Sequence, residues 1–377
     1  MQKQVKEGTS EMPTNRIKHL GTLCFIVAVG LAATSGAASA PATESQLAAN
    51  TARASSKIAF ISEPPAGGYC GLVYVMNADG SGQRRLADGP ADECAQELFP
   101  AWSPDGRKVA FVGNSKIYVA NADGSGQRRL TRNTAQELSP AWSPDGRRIA
   151  FLRLRHRTFE IYVVNADGTG QRRLTRNAAQ ELSPAWSPDG RKIAFVGRGD
   201  SSLEVYVMNA DGSEQRRLTR NAVRDGNPVW SPDGRSIAFE SKWQVYVMNA
   251  DGSGQRRLTR NGARNNVAPA WSPDGRRIAF ERGRQQRDPC AGACPGAWGF
   301  EVYVINADGS GQQRLTRGAS QPRWSPNGRK IAFVSQRDGD ADIYVMNADG
   351  SGQRNLTRGA GRRESQPVWS PGRNSAG

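Results

Sequence analysis

Short apolar runs broken by polar turns dominate the chain from residue 57 onward, and residues 140–176 show the pattern once through. Pro140-Ala141-Trp142-Ser143 reads as a short strand and Ser143-Pro144-Asp145-Gly146 as a turn. Proline presets φ at the second turn position, aspartate bonds its own backbone, and glycine closes the turn. Arg148-Ile149-Ala150-Phe151 and Ile161-Tyr162-Val163-Val164 are two further strands, rich in β-branched and aromatic residues. Asn165-Ala166-Asp167-Gly168 then turns the chain into a polar fourth strand, Gln171–Thr175. The inner strands are apolar on both faces, as expected of strands sandwiched between neighbours, and only the fourth reads as solvated.

This unit repeats. Trp-Ser-Pro recurs at Trp102, Trp142, Trp186, Trp230, Trp271, Trp324 and Trp369, with spacings of 40, 44, 44, 41, 53 and 45 residues. Asn-Ala-Asp-Gly begins at Asn77, Asn121, Asn165, Asn209, Asn249, Asn306 and Asn347. A period of roughly 40–45 residues with four short strands in each unit is the signature of a β-propeller. The first unit starts at Lys57-Ile58-Ala59-Phe60 without its Trp-Ser-Pro strand, and the chain ends just after Trp369-Ser370-Pro371. The expectation is an all-β, seven-bladed propeller of four-stranded blades. Six blades are complete, and the seventh combines residues 364–371 with residues 57–88, so that pairing the termini removes the open edge of a linear array. One propeller domain over residues 57–371 follows, with a linker at 41–56 and a tail at 372–377.

The sequence Pro140-Ala141-Trp142-Ser143-Pro144-Asp145-Gly146-Arg147-Arg148-Ile149-Ala150-Phe151, followed by Ile161-Tyr162-Val163-Val164-Asn165-Ala166-Asp167-Gly168, resembles the TolB-type (PD40) propeller repeat, a WD40-like family. The resemblance implies the fold and a protein- or peptide-binding role on the channel-mouth face. It does not imply a reaction.

The first forty residues read as an address. Arg16, Lys18 and His19 precede an apolar run from Leu20 to Leu31, and small residues follow to Ala38-Ser39-Ala40. This is the pattern of a secretory signal peptide over residues 1–40, too short in its apolar part for a membrane span. The expected location is therefore outside the cytoplasm, in the periplasm, cell envelope or medium, with no membrane span once the signal is removed. The chain is expected to be a monomer.

Candidate chemistry is sparse. Of two histidines, His19 leaves with the signal, so His156 would have to serve any Ser-His-Asp arrangement or histidine metal site alone. No catalytic residue, cofactor or metal ligand is assigned, and a non-enzymatic scaffold is expected. Four cysteines remain, an even number in an exported chain, so disulfides are the default. Cys70 lies between the second and third strands of the composite blade and Cys94 in the connection to the next blade; both connections fall on one face. Pairing them would contribute about 3 kcal/mol by loop closure. Cys290 and Cys294 can pair locally within the longest insertion, residues 282–300, which also carries Trp298 and Phe300. That insertion is either a recognition loop or a segment whose aromatics cover its own base.

Charge adds two repeated features. The chain has 51 Lys and Arg against 35 Asp and Glu, a net +16. Arg84-Arg85, Arg128-Arg129, Arg172-Arg173, Arg216-Arg217 and Arg256-Arg257 fall in fourth strands, where charge blocks edge-to-edge pairing or attracts an anionic cell-surface polymer. Aromatics interleaved for base stacking are missing, so nucleic acid is not an expected partner. Three residues before the proline of each inner strand stand Glu97, Glu137, Glu181, Asp225, Asn266, Ala319 and Glu364. Five carboxylates at one position predict an acidic ring at the channel mouth. Either each accepts hydrogen bonds from an adjacent blade, or the ring, flanked by Trp298, receives a basic peptide segment or a structural cation.

Overall fold

The computed structural model describes residues 56–64, 71–86, 97–176, 179–200, 202–259, 264–284, 299–359 and 361–372. Seven antiparallel sheets of four strands follow one another around a ring. Blades 2 to 7 take their strands in chain order, from Leu98–Trp102 in blade 2 to Arg354–Asn355 in blade 7. Blade 1 is composite: its inner strand Arg363–Trp369 pairs with Lys57–Glu63, which pairs with Leu72–Asn77 and then Arg84–Arg85. Ile58 lies opposite Trp369 and Ser62 opposite Glu364, so the two ends of the ring close in one sheet. The blade count and the mode of closure expected from the repeat are both present.

Each seam between blades is an apolar cluster. The seam between blades 2 and 3 buries Ala101, Val112, Ile117 and Val119 against Trp142, Ile149 and Phe151. A Phe–Tyr pair recurs in every blade, from Phe60–Tyr74 to Phe333–Tyr344, with ring centroids 5.5 to 5.9 Å apart. The indole of each Trp-Ser-Pro motif crosses the seam. Trp102 Nε1 donates to Val368 O, Trp142 to Ala101 O, and so on to Trp369, which donates to Arg323 O, all at 3.0 to 3.2 Å. Every blade is thus hydrogen-bonded to the one before it, at about 1 kcal/mol per bond.

The turns form as their sequences dictate. Gly106 N bonds Ser103 O to close the first turn, and Asp105 Oδ1 accepts from Ser103 Oγ and Arg107 N. In the second turn Gly80 has φ +85, and a Cβ there would meet Leu356 O of the preceding blade at 2.9 Å, so only glycine fits. Outside blade 6, whose fourth strand Gln313–Arg317 has five residues, the fourth strands are two residues long: Arg172–Arg173 pairs, but Leu174 turns into the seam and is buried. Short edges offer little to a second sheet.

Every inner strand also contains a bulge. Phe99, Ser139, Ser183, Asn227, Ala268, Gln321 and Gln366, each just before the strand's proline, have φ between 46° and 56°. The ladder to the second strand shifts register at these points. Proline cannot donate to the ladder, and a bulge is where a sheet accommodates it.

One core position varies in kind. After the Ile/Val-Ala-Phe of each second strand come Ile61, Val112, Leu152, Val196 and Val334, but Glu240 and Glu281 in blades 5 and 6. Glu240 Oε1 accepts from Asn227 Nδ2 at 2.8 Å and Ala268 N at 2.6 Å; Glu281 Oε1 accepts from Gln321 N at 2.7 Å. Each carboxylate thereby binds the bulge N–H of the following blade. Burial raises both, Glu281 to about 7, with Glu240's charge adding to the push.

Two outcomes follow. Deleting residues 364–377 removes the inner strand of blade 1, so the single cooperative melting transition should be lost and the protein should aggregate on gel filtration; a melting curve like the parent's would mean the ring does not close this way. Glu281 is also a titrating cost. Its folded value lies above the ordinary 4.5, so stability falls as pH rises from about 4.5 to about 7 and is recovered below that window. Glu281→Gln should raise the melting temperature by a few degrees near pH 8, against a limit of about 3 kcal/mol, and by little near pH 4.5.

Candidate binding face

Two sets of connections emerge on one face of the ring: those between second and third strands, and those leading from one blade to the next. The carboxylates expected at the channel mouth start the inner strands on this side. The ring exists, but it lies inside the seams: Glu97, Glu137, Glu181, Asp225 and Glu364 are at most 3% exposed. Glu97 Oε2 accepts from Val73 N of the preceding blade at 2.8 Å, and its Oε1 lies 3.3 Å from Arg85 Nη2. Glu137 accepts from Ile117 N, Thr131 Oγ1 and Asn133 Nδ2, and from Arg153 Nη2 at 2.7 Å. Glu181 accepts from Thr175 Oγ1 at 3.1 Å, Asp225 from Asn221 Nδ2 at 2.9 Å, and Glu364 from Ser62 Oγ at 3.1 Å. Burial pushes Glu97, Asp225 and Glu364 upward despite these donors. Glu97, Glu137 and Glu181 tie the start of an inner strand to the blade before it, whereas Glu364 bonds Ser62 within its own blade. In blade 6 Asn266 stands at this position without charge, donating to Gln244 Oε1 of the preceding blade and accepting from Arg282 Nε of its own, both at 2.9 Å.

The arginines of the fourth strands are engaged as well. Arg128, Arg172 and Arg216 each donate to a carbonyl of the following blade's Asn-Ala-Asp-Gly turn, at 2.7 Å to Asp167, Asp211 and Asp251. The second arginine of the pair turns to a carboxylate in blades 1, 3 and 4: Arg85 to Glu97, Arg173 to Glu160, Arg217 to Glu204.

Toward the axis, polar side chains link the bulges over part of the ring. Ser183 Oγ reaches Asn227 Oδ1 at 3.4 Å, Asn227 and Ala268 N meet at Glu240, Gln321 N binds Glu281, and Gln366 N binds Gln321 Oε1 at 2.6 Å. Blades 2 and 3 place Phe99 and Ser139 at the same position.

The feature that sequence reasoning passed over is Trp243. It is 58% exposed, and among the described residues it is the exposed large hydrophobic side chain. It sits in the two-residue turn joining Ser236–Ser241 to Gln244–Asn249, with φ of 51° at Lys242 and 59° at Trp243. Blade 2 uses Asn114-Ser115 for the same turn and blade 3 His156-Arg157, where the histidine is exposed as expected. A bulky residue with positive φ is costly, so a tryptophan held there in solvent calls for a reason beyond folding. A count would have found it: of nine tryptophans, seven belong to Trp-Ser-Pro and one is Trp298. Trp298, Cys70, Cys94, Cys290 and Cys294 lie outside the described residues. Among those described, no cluster of three or more His, Cys, Asp or Glu side chains is arranged to hold a metal ion, and no helix is long and apolar enough to cross a membrane.

Comparison with known proteins places this geometry. A 48-residue stretch is 50% identical to the Tol-Pal system protein TolB of Rhizorhabdus wittichii, covering 12% of this chain and 11% of that protein. Among solved structures, TolB from Acinetobacter baumannii superposes with a TM-score of 0.53 at 20% identity, over 84% of this chain and 67% of that one. A Mycobacterium tuberculosis puromycin-hydrolyzing peptidase gives 0.60 at 17% identity, over 87% of this chain and 56% of that one. At such identities the superpositions speak for the fold alone. The TolB beta propeller domain model, however, matches residues 90–183, 113–292 and 296–375, most of the chain, and the protein belongs to that family.

Proposed function

We propose that the chain is an exported, non-enzymatic propeller that binds a protein or peptide partner through the face carrying the second-to-third-strand connections, with Trp243 as its principal contact. The exposure of Trp243 on a strained turn is the observation that carries this reading. Tryptophan dominates binding hot spots, where a desolvated ring contributes several kcal/mol. Trp298 falls in the corresponding connection of the next blade, between Arg277–Arg284 and Glu301–Asn306, which supports the same face. The name of the Rhizorhabdus relative, a Tol-Pal system protein, is in keeping with an envelope location and a protein partner. The lone exposed His156 is what favours binding over catalysis, although the peptidase shows that this fold can accompany hydrolysis.

The net charge of +16 favours a second reading, binding of an anionic cell-surface polymer along the arginine rim. The bonds from Arg128, Arg172 and Arg216 to neighbouring turns give those side chains a role in blade packing in either case.

Affinity capture of partners from the organism's own envelope fraction, followed by titration with the purified partner, tests the proposal. Trp243→Ala should weaken binding by at least about tenfold with an unchanged melting temperature. Binding equal to wild type would remove Trp243 from the interface. The double variant Glu137→Gln, Glu181→Gln should do the reverse, lowering stability by about 1–3 kcal/mol while leaving the dissociation constant within about twofold. A large loss of affinity at unchanged stability would return those carboxylates to the binding site.

A further inference from the structure

The seams share one architecture but differ in how they carry charge, and the seam that closes the ring differs most. In each seam the residue that begins the core of the third strand faces the residue three positions before the next blade's proline. Between blades 3 and 4 these are Glu160 and Glu181, which both accept from Thr175 Oγ1, and Arg173 binds Glu160. Between blades 4 and 5 they are Glu204 and Asp225, with Arg217 on Glu204. Between blades 5 and 6 they are the neutral Gln244 and Asn266. Between blades 6 and 7 Glu301, bound by Arg314, precedes Ala319.

At the closing seam, between blades 7 and 1, the pair is Asp342 and Glu364, 5% and 2% exposed. The place of Arg173 and Arg217 is taken by Asn355, whose Nδ2 donates to Asp342 Oδ2 at 2.7 Å, and Thr357 Oγ1 donates to Oδ1 at 3.1 Å. Glu364 Oε1 accepts from Ser62 Oγ, and its Oε2 has no hydrogen-bond partner. Among the charges around the pair, Arg362 draws Glu364 downward, but by less than burial and Asp342 push it up. Asp338, Asp340, Asp342 and Arg358 line a cavity of about 340 Å³ with Gly359 and Gly361. Arg337 lies over the Tyr344 ring and binds Thr316 and Gln353, toward the other seam. Arg362 donates to Tyr74 Oη, and Arg363 stands opposite Glu63 at the strand end. Arg354 is exposed on the outer strand.

We propose that the closing seam is a proton latch: Glu364 carries a proton toward Asp342 while the strand Arg363–Trp369 is seated, and loss of that proton loosens the strand before any other inner strand. Two facing carboxylates this little exposed ionise together only at a cost, so Glu364 keeps its proton to higher pH than an ordinary carboxylate. In keeping with this, burial first and Asp342's charge second push Glu364 up to about 7. Because the folded value is the higher one, closure is strongest below the ordinary carboxylate range and weakens as pH rises toward and past 7.

Hydrogen exchange of the full-length protein near pH 5.5 and near pH 8, corrected for the intrinsic rate, tests this. Protection of residues 363–369 should fall by at least about tenfold at the higher pH while that of 181–186 changes much less. Glu364→Gln, and separately Asp342→Asn, should reduce the pH dependence of residues 363–369 to that of residues 181–186. An equal change in both strands of the wild type would overturn the latch, as would a variant that keeps the parent's pH dependence. Recovery of protection near pH 8 on adding millimolar calcium to the wild type, absent in Asp342→Asn, would overturn it in favour of a cation site.

Discussion

The ring depends on the indole of the Trp-Ser-Pro motif. Its apolar body fills the seam, and its N–H reaches the inner-strand carbonyl of the blade before. The bond is buried at four of the seams, so losing the indole there would cost a buried hydrogen bond as well as packing. Because the bond always points to the preceding blade, a seventh one, from Trp369 to Arg323, is needed at the last seam. Blades 1 and 2 are joined the same way, through Trp102 and Val368. The terminal strand therefore both gives and receives, and the composite blade is held as firmly by its neighbours as by its own ladder.

Around that constant, the polar positions are variable solutions to a single requirement. The start of most inner strands is tied by a hydrogen bond to the preceding blade. Glu97 and Glu137 accept there from Val73 N and Ile117 N, Asn266 instead donates to Gln244 Oε1, and at Ala319 the backbone N–H reaches Phe300 O. Glu240 and Glu281 solve a related problem nearer the axis, accepting bulge N–H groups at positions where other blades place aliphatic side chains. Such substitutions break the symmetry of the ring without disturbing its shape. Any partner selectivity has to arise from differences of this kind, since the repeated residues are the same on every side.

The fold was legible because its determinants are local and repeated: Trp102 through Trp369 and the Asn-Ala-Asp-Gly turns each recur seven times, and the Ser-Pro-Asp-Gly turns five times. The acidic ring was legible as a position but not as an environment. Spacing told that Glu97 to Glu364 share a site; it could not tell that the side chains turn inward to Val73 N or Thr175 Oγ1 rather than outward to solvent. Glu281 and Asn355 were passed over because each matters as a departure from its repeat, and the repeat was read for what its units share. Trp243 was hidden by the abundance of structural tryptophan. Outside blade 6 the fourth strands were read as longer than they are, since residues such as Leu174 belong to the seam and not to the edge.

The composite blade has a consequence for how the ring is held closed. Lys57 N is bonded to Ser370 Oγ, 313 residues away in sequence, so its strand finds its inner neighbour only across the whole propeller. Bringing such distant ends together from a disordered chain would cost on the order of 5 kcal/mol. The continuous blades offset part of that cost, since each successive seam carries one end of the propeller around toward the other. Lys57–Glu63 is an interior strand of its sheet only while Arg363–Trp369 is seated beside it; with that strand withdrawn, its inner edge lies open. A single short strand thus decides whether the same seven sheets make a closed ring or an open array with an edge to pair.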